Sequence, residues 1–240
     1  MMTFKIISVI FFFLTFVNEN YLAQTKLLIV TGGKDFERES FFEIFRSYND
    51  VEFDTASKPS AFTVFSSEEI TDYHAIVFYD TYQPISEDEK ISFLSLFEKG
   101  IGVVFLHHTI VSHQDWDEYE KIVGGRYHHT PYTDDGKKYG PSTYKHDQEF
   151  LIKIIDKEHP VTKGLNDFPI TDEAYLNYKI YDYVTPLLAS DNCENGKYLG
   201  WTNTYHNSKV VYLQLGHDHK AYENSYFRLL IKNSIEWVRK

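Results

Sequence analysis

One cysteine, Cys193, in 240 residues excludes an internal disulfide, so a large core has to supply the stability. Basic residues are scarce too. Lys and Arg number 24 against 35 Asp and Glu, and a net charge of -11 with no basic stripe argues against a nucleic-acid partner, because phosphate binding needs concentrated Lys and Arg. No internal repeat, low-complexity tract or obvious linker interrupts the chain. The longest apolar stretch, Ile6 to Val17, is too short for a bilayer span of roughly 20 residues. With Lys5 before it and the small Ala23 after it, that stretch has the layout of a secretory leader. The expected division is therefore a signal peptide over 1–23 and one domain over 24–240, in a protein exported to the periplasm or cell surface. Tyr21 is a poor residue three places before a cut after Ala23, which leaves the cleavage point open.

Rings are plentiful, with 19 Tyr and 19 Phe. Packing accounts for most of them, but tyrosines outside the strands suit a polar, ring-stacking pocket of the kind sugars use. From Lys26 onward, strand and helix patterns alternate. Lys26 to Thr31, Val51 to Thr55, Ala75 to Tyr79 and Ile101 to Leu106 read as buried strands. Phe41, Phe42, Phe45 and Tyr48 repeat at helical spacing, and Ser66 or Ser67 is placed to cap a helix before Glu68 and Glu69. Ser86 precedes Glu87, Asp88 and Glu89 and an apolar face of Ile91, Leu94 and Phe97 that stops at Gly100. Such alternation predicts an α/β fold with a mostly parallel sheet and helices on both faces. Residues 111–141 read as a long functional loop with one short helix over Trp116 to Val123. Phe150 to Ile155 and Tyr198 to Thr202 read as antiparallel additions before a strand at Val210, and a closing amphipathic helix carries Tyr226, Leu229, Leu230, Trp237 and Val238.

Two of the strands run into histidines: Leu106 into His107-His108, and Leu215-Gly216 into His217-Asp218-His219. Ligands of open α/β sheets bind beyond the carboxyl ends of the strands, so the rings stand where chemistry is expected. Neutral imidazoles there suit a Zn-type ion. His107 or His108, His128 or His129, and His217 or His219, with Glu173 or Asp172, would make three or four ligands. They equally suit proton transfer, with Glu173 or Asp172 as partner. Side chains alternate along a strand, so at most one ring of each strand-end pair should face the pocket unless the loop turns. His74, His146, His159 and His206 read as structural or surface residues. The Gly32-Gly33 pair lacks the third glycine of a dinucleotide fingerprint, and no nucleotide cofactor is expected. Arg126, after Gly124-Gly125, would either fork onto a sugar oxygen or tie the loop to Asp134 or Asp135.

Five segments in order, Gly100 to His108, Gly124 to His129, His159 to Leu165, Asp172 to Tyr175 and Gly216-His217, resemble the ThuA-like (trehalose utilisation) family. The resemblance runs from about Lys26 to Lys240. It implies a flavodoxin-like fold related to class I glutamine amidotransferases and a link to carbohydrate metabolism. Those relatives place a nucleophilic cysteine at the turn where this chain has His107-His108, and Thr109 lacks the flanking glycines of a nucleophile elbow. Amidotransferase activity is therefore not expected. By the family pattern, His108, His217 and Glu173 are the catalytic candidates and also the candidate metal ligands. His107, Arg126, His129, Asp172, Tyr175 and His219 are the candidate substrate contacts. The expected partner is a small carbohydrate, such as a keto-sugar or glycoside, with no lasting membrane span; a homo-oligomer stays open. The alternative from another class is a noncatalytic sugar-binding module on the same fold.

Overall fold

The computed structural model describes residues 24–239. The proposed leader, 1–23, lies outside the described residues. Strand β1 (Thr25–Gly32) opens the fold, followed by α1 (Arg38–Arg46), β2 (Val51–Ser57), α2 (Ala61–Ser66), β3 (Ala75–Asp80), α3 (Glu87–Glu98) and β4 (Gly102–Leu106). Next come α4 (Asp117–Val123), the short β5 (Gly125–Arg126), the hairpin β6 (Tyr132–Asp134) and β7 (Lys137–Tyr139), and the long ribbon β8 (Thr143–Ile154) and β9 (Phe168–Leu176). The chain closes with β10 (Lys179–Ile180), β11 (Thr185–Ser190), β12 (Gly200–Tyr205), β13 (Ser208–Leu213), α5 (His219–Tyr222) and α6 (Ser225–Val238).

Nine strands form one sheet in the order β2-β1-β3-β4-β13-β12-β11-β8-β9. The β2-to-β13 half is parallel, and the pairings from β13 onward to β9 are antiparallel. Both faces are covered, which is why β3 and β4 are buried at every position rather than alternating. The pleat divides them: Leu27, Ile29, Val77 and Val104 face α1 and α6, while Leu28, Val30, Phe78 and Phe105 face α2, α3 and α4. Each such side chain, fully buried, stabilises by roughly 1.5–3 kcal/mol. The capping box expected at Ser86 is formed, with the Ser86 amide donating to Glu89 Oε2 at 2.7 Å.

Three local expectations need correcting. Ser66 and Ser67 do not start an α-helix: α2 ends there, Ser67 Oγ donates back to the Val64 carbonyl at 2.8 Å, and 68–72 is a 3-10 turn. The ribbon strand β8 begins at Thr143, seven residues earlier than Phe150, because its first half is exposed and carries no apolar signal. β12 lies two to three residues later than expected, since its polar Thr202 and Asn203 are buried. Among the described residues, no helix is long and apolar enough to cross a membrane.

Candidate functional site

Strand β4 delivers the chain to a sharp turn. His107 has a φ of 51°, in the left-handed region that non-glycine residues seldom adopt, and begins a 3-10 turn over His107–Val111. Holding it there costs of order 1–2 kcal/mol. The turn breaks strand alternation, so both imidazoles point to the same side and their centroids lie 3.9 Å apart. His107 is fully buried, and its Nδ1 sits 2.5 Å from the Gln214 carbonyl. A carbonyl only accepts, so that nitrogen carries the proton and Nε2 is left facing the site.

What Nε2 faces is Glu173, on β9. Its Oε2 is 3.1 Å from His107 Nε2, 3.3 Å from His217 Nδ1 and 3.8 Å from His108 Nε2, while Oε1 is 3.0 Å from His146 Nδ1. Burial alone would raise the Glu173 pKa, but the His107 and His217 rings set against it hold the carboxyl well below the usual carboxylate range. Conversely, burial lowers His217 but Glu173 more than offsets it, so that ring is easier to protonate than usual. Burial first, then neighbouring His107 and Lys34, push His108 well below an ordinary imidazole. Neighbouring rings in one cluster are thus driven in opposite directions, the pattern that separates acid from base at functional sites.

His217 is positioned by its backbone. Asp172 accepts the amides of Gly216 at 2.7 Å and His217 at 2.9 Å. Gly216, with a φ of 111°, supplies the backbone shape just before the ring. Beside the cluster opens a cavity of about 310 Å³ lined by Lys34, Thr81, His108, Tyr127, His129, Tyr144, His146, Glu173 and Tyr175. This is the low end of small-molecule sites, room for about one sugar ring. A larger hollow of about 510 Å³ near Lys58, Phe62 and Gln83 contains none of the clustered imidazoles, and chemistry rather than volume decides between them. Among the described residues, His107, His108, Glu173 and His217 form a group with ligand atoms all within 4.8 Å of one another.

The family model described as "Trehalose utilisation" matches residues 17–238. The chain belongs to the ThuA family. Among solved structures it is similar to a putative ThuA-like protein from Parabacteroides merdae, with 20% identity, 90% of each chain covered and a TM-score of 0.72. A second putative ThuA-like protein, from Bacteroides uniformis, has 21% identity, coverage of 92% of this chain and 93% of that one, and a TM-score of 0.69. A putative GMP synthase component from Thermoplasma acidophilum is 12% identical over 89% of this chain and 93% of that one, at a TM-score of 0.52. These likenesses place the fold among ThuA-like and class I glutamine amidotransferase-like architectures. No curated protein matches significantly. The turn after β4 in this ThuA-family chain begins with His107, while Cys193 is exposed in the link between β11 and β12.

The structure brings together His107, His108, Glu173, His217 and Tyr175, and sets His129 at the exposed rim beside Tyr82 and Tyr127. It moves three candidate contacts away. Arg126 is turned inward, with Nε 3.0 Å from Glu120, Nη1 3.2 Å from Asp117 and Nη2 donating to the Trp116 carbonyl at 2.8 Å. His219 is on the surface, 3.0 Å from Glu37. Asp172 is buried and spends its oxygens on backbone amides, so it positions His217 instead of touching a ligand. Two residues that meet the cluster escape the sequence reading. Lys34, presented by the Gly32-Gly33 turn, puts Nζ 3.0 Å from His108 Nε2. His146, expected to be a structural or surface residue, is exposed yet reaches Glu173 because the β8 register shifts between Lys145 and Gln148, a bulge that re-aims the side chain.

Proposed function

We propose that this protein is an enzyme acting on a small carbohydrate, a keto-sugar or glycoside, by moving a proton at the His108 edge of the cavity. The observation that carries this reading is the meeting of three imidazoles and one carboxylate at a cavity of sugar-ring size walled by Tyr127, Tyr144 and Tyr175. Tyrosine faces suit the C–H face of a sugar, and their hydroxyls suit its oxygens. His108, kept neutral by burial and by Lys34, is the base that takes a proton from a carbon beside a carbonyl or from a hydroxyl. His108 then gives that proton back at the neighbouring carbon or oxygen, with Glu173 and His217 beside its ring. The family description, "Trehalose utilisation", supports the substrate class. The leader-like segment at 6–17 supports export, which cell fractionation with an antibody to this chain tests.

Turnover assays on keto-sugars and disaccharides with His108→Ala and His217→Ala test the assignment. Loss of roughly 100-fold or more in kcat for each supports it, and unchanged turnover in both overturns it. Calorimetric sugar binding with no substrate consumed would instead make the chain a sugar-binding module.

A further inference from the structure

Three ligand atoms of the cluster form a nearly equilateral triangle. His107 Nε2 to Glu173 Oε2 is 3.1 Å, His107 Nε2 to His217 Nδ1 is 3.2 Å, and His217 Nδ1 to Glu173 Oε2 is 3.3 Å. A tetrahedral ion with bonds of about 2.0–2.2 Å separates its ligand atoms by roughly 3.3–3.6 Å, so these edges are slightly shorter than one face of such a shell. We propose that His107 Nε2, His217 Nδ1 and Glu173 Oε2 bind a divalent transition ion of the zinc class.

Hydrogen bonding around the triangle supports a cation at its centre. Nδ1 of His107 is committed to the Gln214 carbonyl, so in its neutral form Nε2 presents a lone pair directly to a carboxylate oxygen. The repulsion of those two lone pairs is relieved either by a proton on His217 Nδ1 or by a cation among the three atoms, and a divalent cation satisfies all three at once. A donor from the far side of the imidazole to a backbone carbonyl is also the usual partner of a metal-bound histidine, because it fixes both tautomer and ring orientation. The other two ligands are braced in the same way: Glu173 Oε1 by His146 at 3.0 Å, and the His217 backbone by Asp172. His108 stands slightly apart, 3.8 Å from the carboxylate, with Lys34 Nζ 3.0 Å from its Nε2. Three protein ligands with a fourth position left for a substrate oxygen is the layout of a catalytic rather than a structural zinc site. An ion there would polarise a sugar carbonyl or hydroxyl lying in the cavity beside His108. Only the occupant of that fourth position rests on the carbohydrate reading; the ion site stands on the donor geometry alone.

The test uses full-length protein dialysed against chelator, then titrated calorimetrically with ZnCl₂, with elemental analysis after gel filtration and visible spectra of the CoCl₂-loaded form. One ion per chain is expected, with cobalt bands of tetrahedral intensity. Glu173→Gln and His217→Ala should each weaken zinc binding roughly 100-fold or more, while His219→Ala, on the surface with Glu37, leaves it unchanged. Melting curves recorded without metal establish that each variant is folded. Wild-type protein that takes up no stoichiometric ion, or folded Glu173→Gln that binds as tightly as wild type, overturns the proposal. Sugar turnover by metal-free protein would sink the ion's part and keep the enzyme, whereas tight zinc binding without any turnover would do the reverse.

Discussion

Asp172 holds His217 by its main chain: the two carboxylate oxygens take the consecutive amides of Gly216 and His217 at 2.7 and 2.9 Å. Burial raises the Asp172 pKa in spite of these bonds, so the fold bears a desolvation cost to keep the clamp. Replacing Asp172 with Asn leaves one acceptor oxygen for three amide donors, those of Glu173, Gly216 and His217. The fold should persist, but the His217 ring should shift, and a displacement of about 1 Å can cost on the order of 100-fold in rate. Turnover of the substrate beside a near-native circular dichroism spectrum is the measurement. Full activity in Asp172→Asn would deny the clamp any positioning role.

Arg126 makes a contrasting prediction. It is buried against Glu120 and Asp117, away from the cavity, so Arg126→Ala should lower stability by about 3 kcal/mol by leaving Glu120 short of a buried partner. Sugar affinity, read by calorimetry, should stay within a few-fold. A large loss of affinity with unchanged urea stability would return Arg126 to the substrate.

Gly102 begins β4, and a Cβ built on it would stand 2.0 Å from the Val238 carbonyl oxygen of α6. Backbone cannot yield as a flexible side chain does. Gly102→Ala should therefore force α6 off the sheet, at a cost of about 1–3 kcal/mol and a melting temperature lower by roughly 5 °C or more. Differential scanning calorimetry decides it.

Acid should weaken the fold through a buried histidine. His113 is buried, with Nε2 accepting from Lys58 Nζ at 2.8 Å and Nδ1 facing the Gln83 carbonyl at 3.2 Å. Burial, then the Lys58 charge, push its pKa down from 6.5 to about 2. The unfolded chain takes up that proton near pH 6.5 and the folded chain does not. Stability is thus complete above about pH 6.5 and falls as pH drops, by up to roughly 1.4 kcal/mol per pH unit for each such ring. His108 is shifted the same way by burial and adds to the slope, whereas His217, shifted upward, opposes it. Urea unfolding at pH 7 and pH 5 should show a smaller loss in His113→Gln than in wild type. Equal losses would remove His113 from the acid response.

The strands that carry the site were readable because β3, β4 and β13 are buried on both faces and so appear as largely unbroken apolar runs. The positions of His107, His108 and His217 followed from where those runs stop. Their orientation did not. A left-handed φ at His107 turns both rings the same way, and no residue type in His107-His108 announces it. His146 was hidden for a similar reason, since its approach to Glu173 depends on a bulge whose φ of 55° falls on Asp147 instead of a glycine. Arg126, with a sugar oxygen and Asp134 or Asp135 both open as partners, takes neither. Gly124 ends α4 with a φ of 84°, and the arginine after it folds back onto that helix.

The ribbon of β8 and β9 is the far edge of the sheet, yet it carries Glu173, Tyr144, His146 and Tyr175 to a cavity that begins at β4. Occupancy and edge pairing are therefore linked: any guest gripped by those side chains must slow exchange of the ribbon's amide hydrogens with deuterium, while the innermost parallel strands exchange as before. A sheet margin, ordinarily the first part of such a fold to fray, becomes the reporter of what the protein has captured.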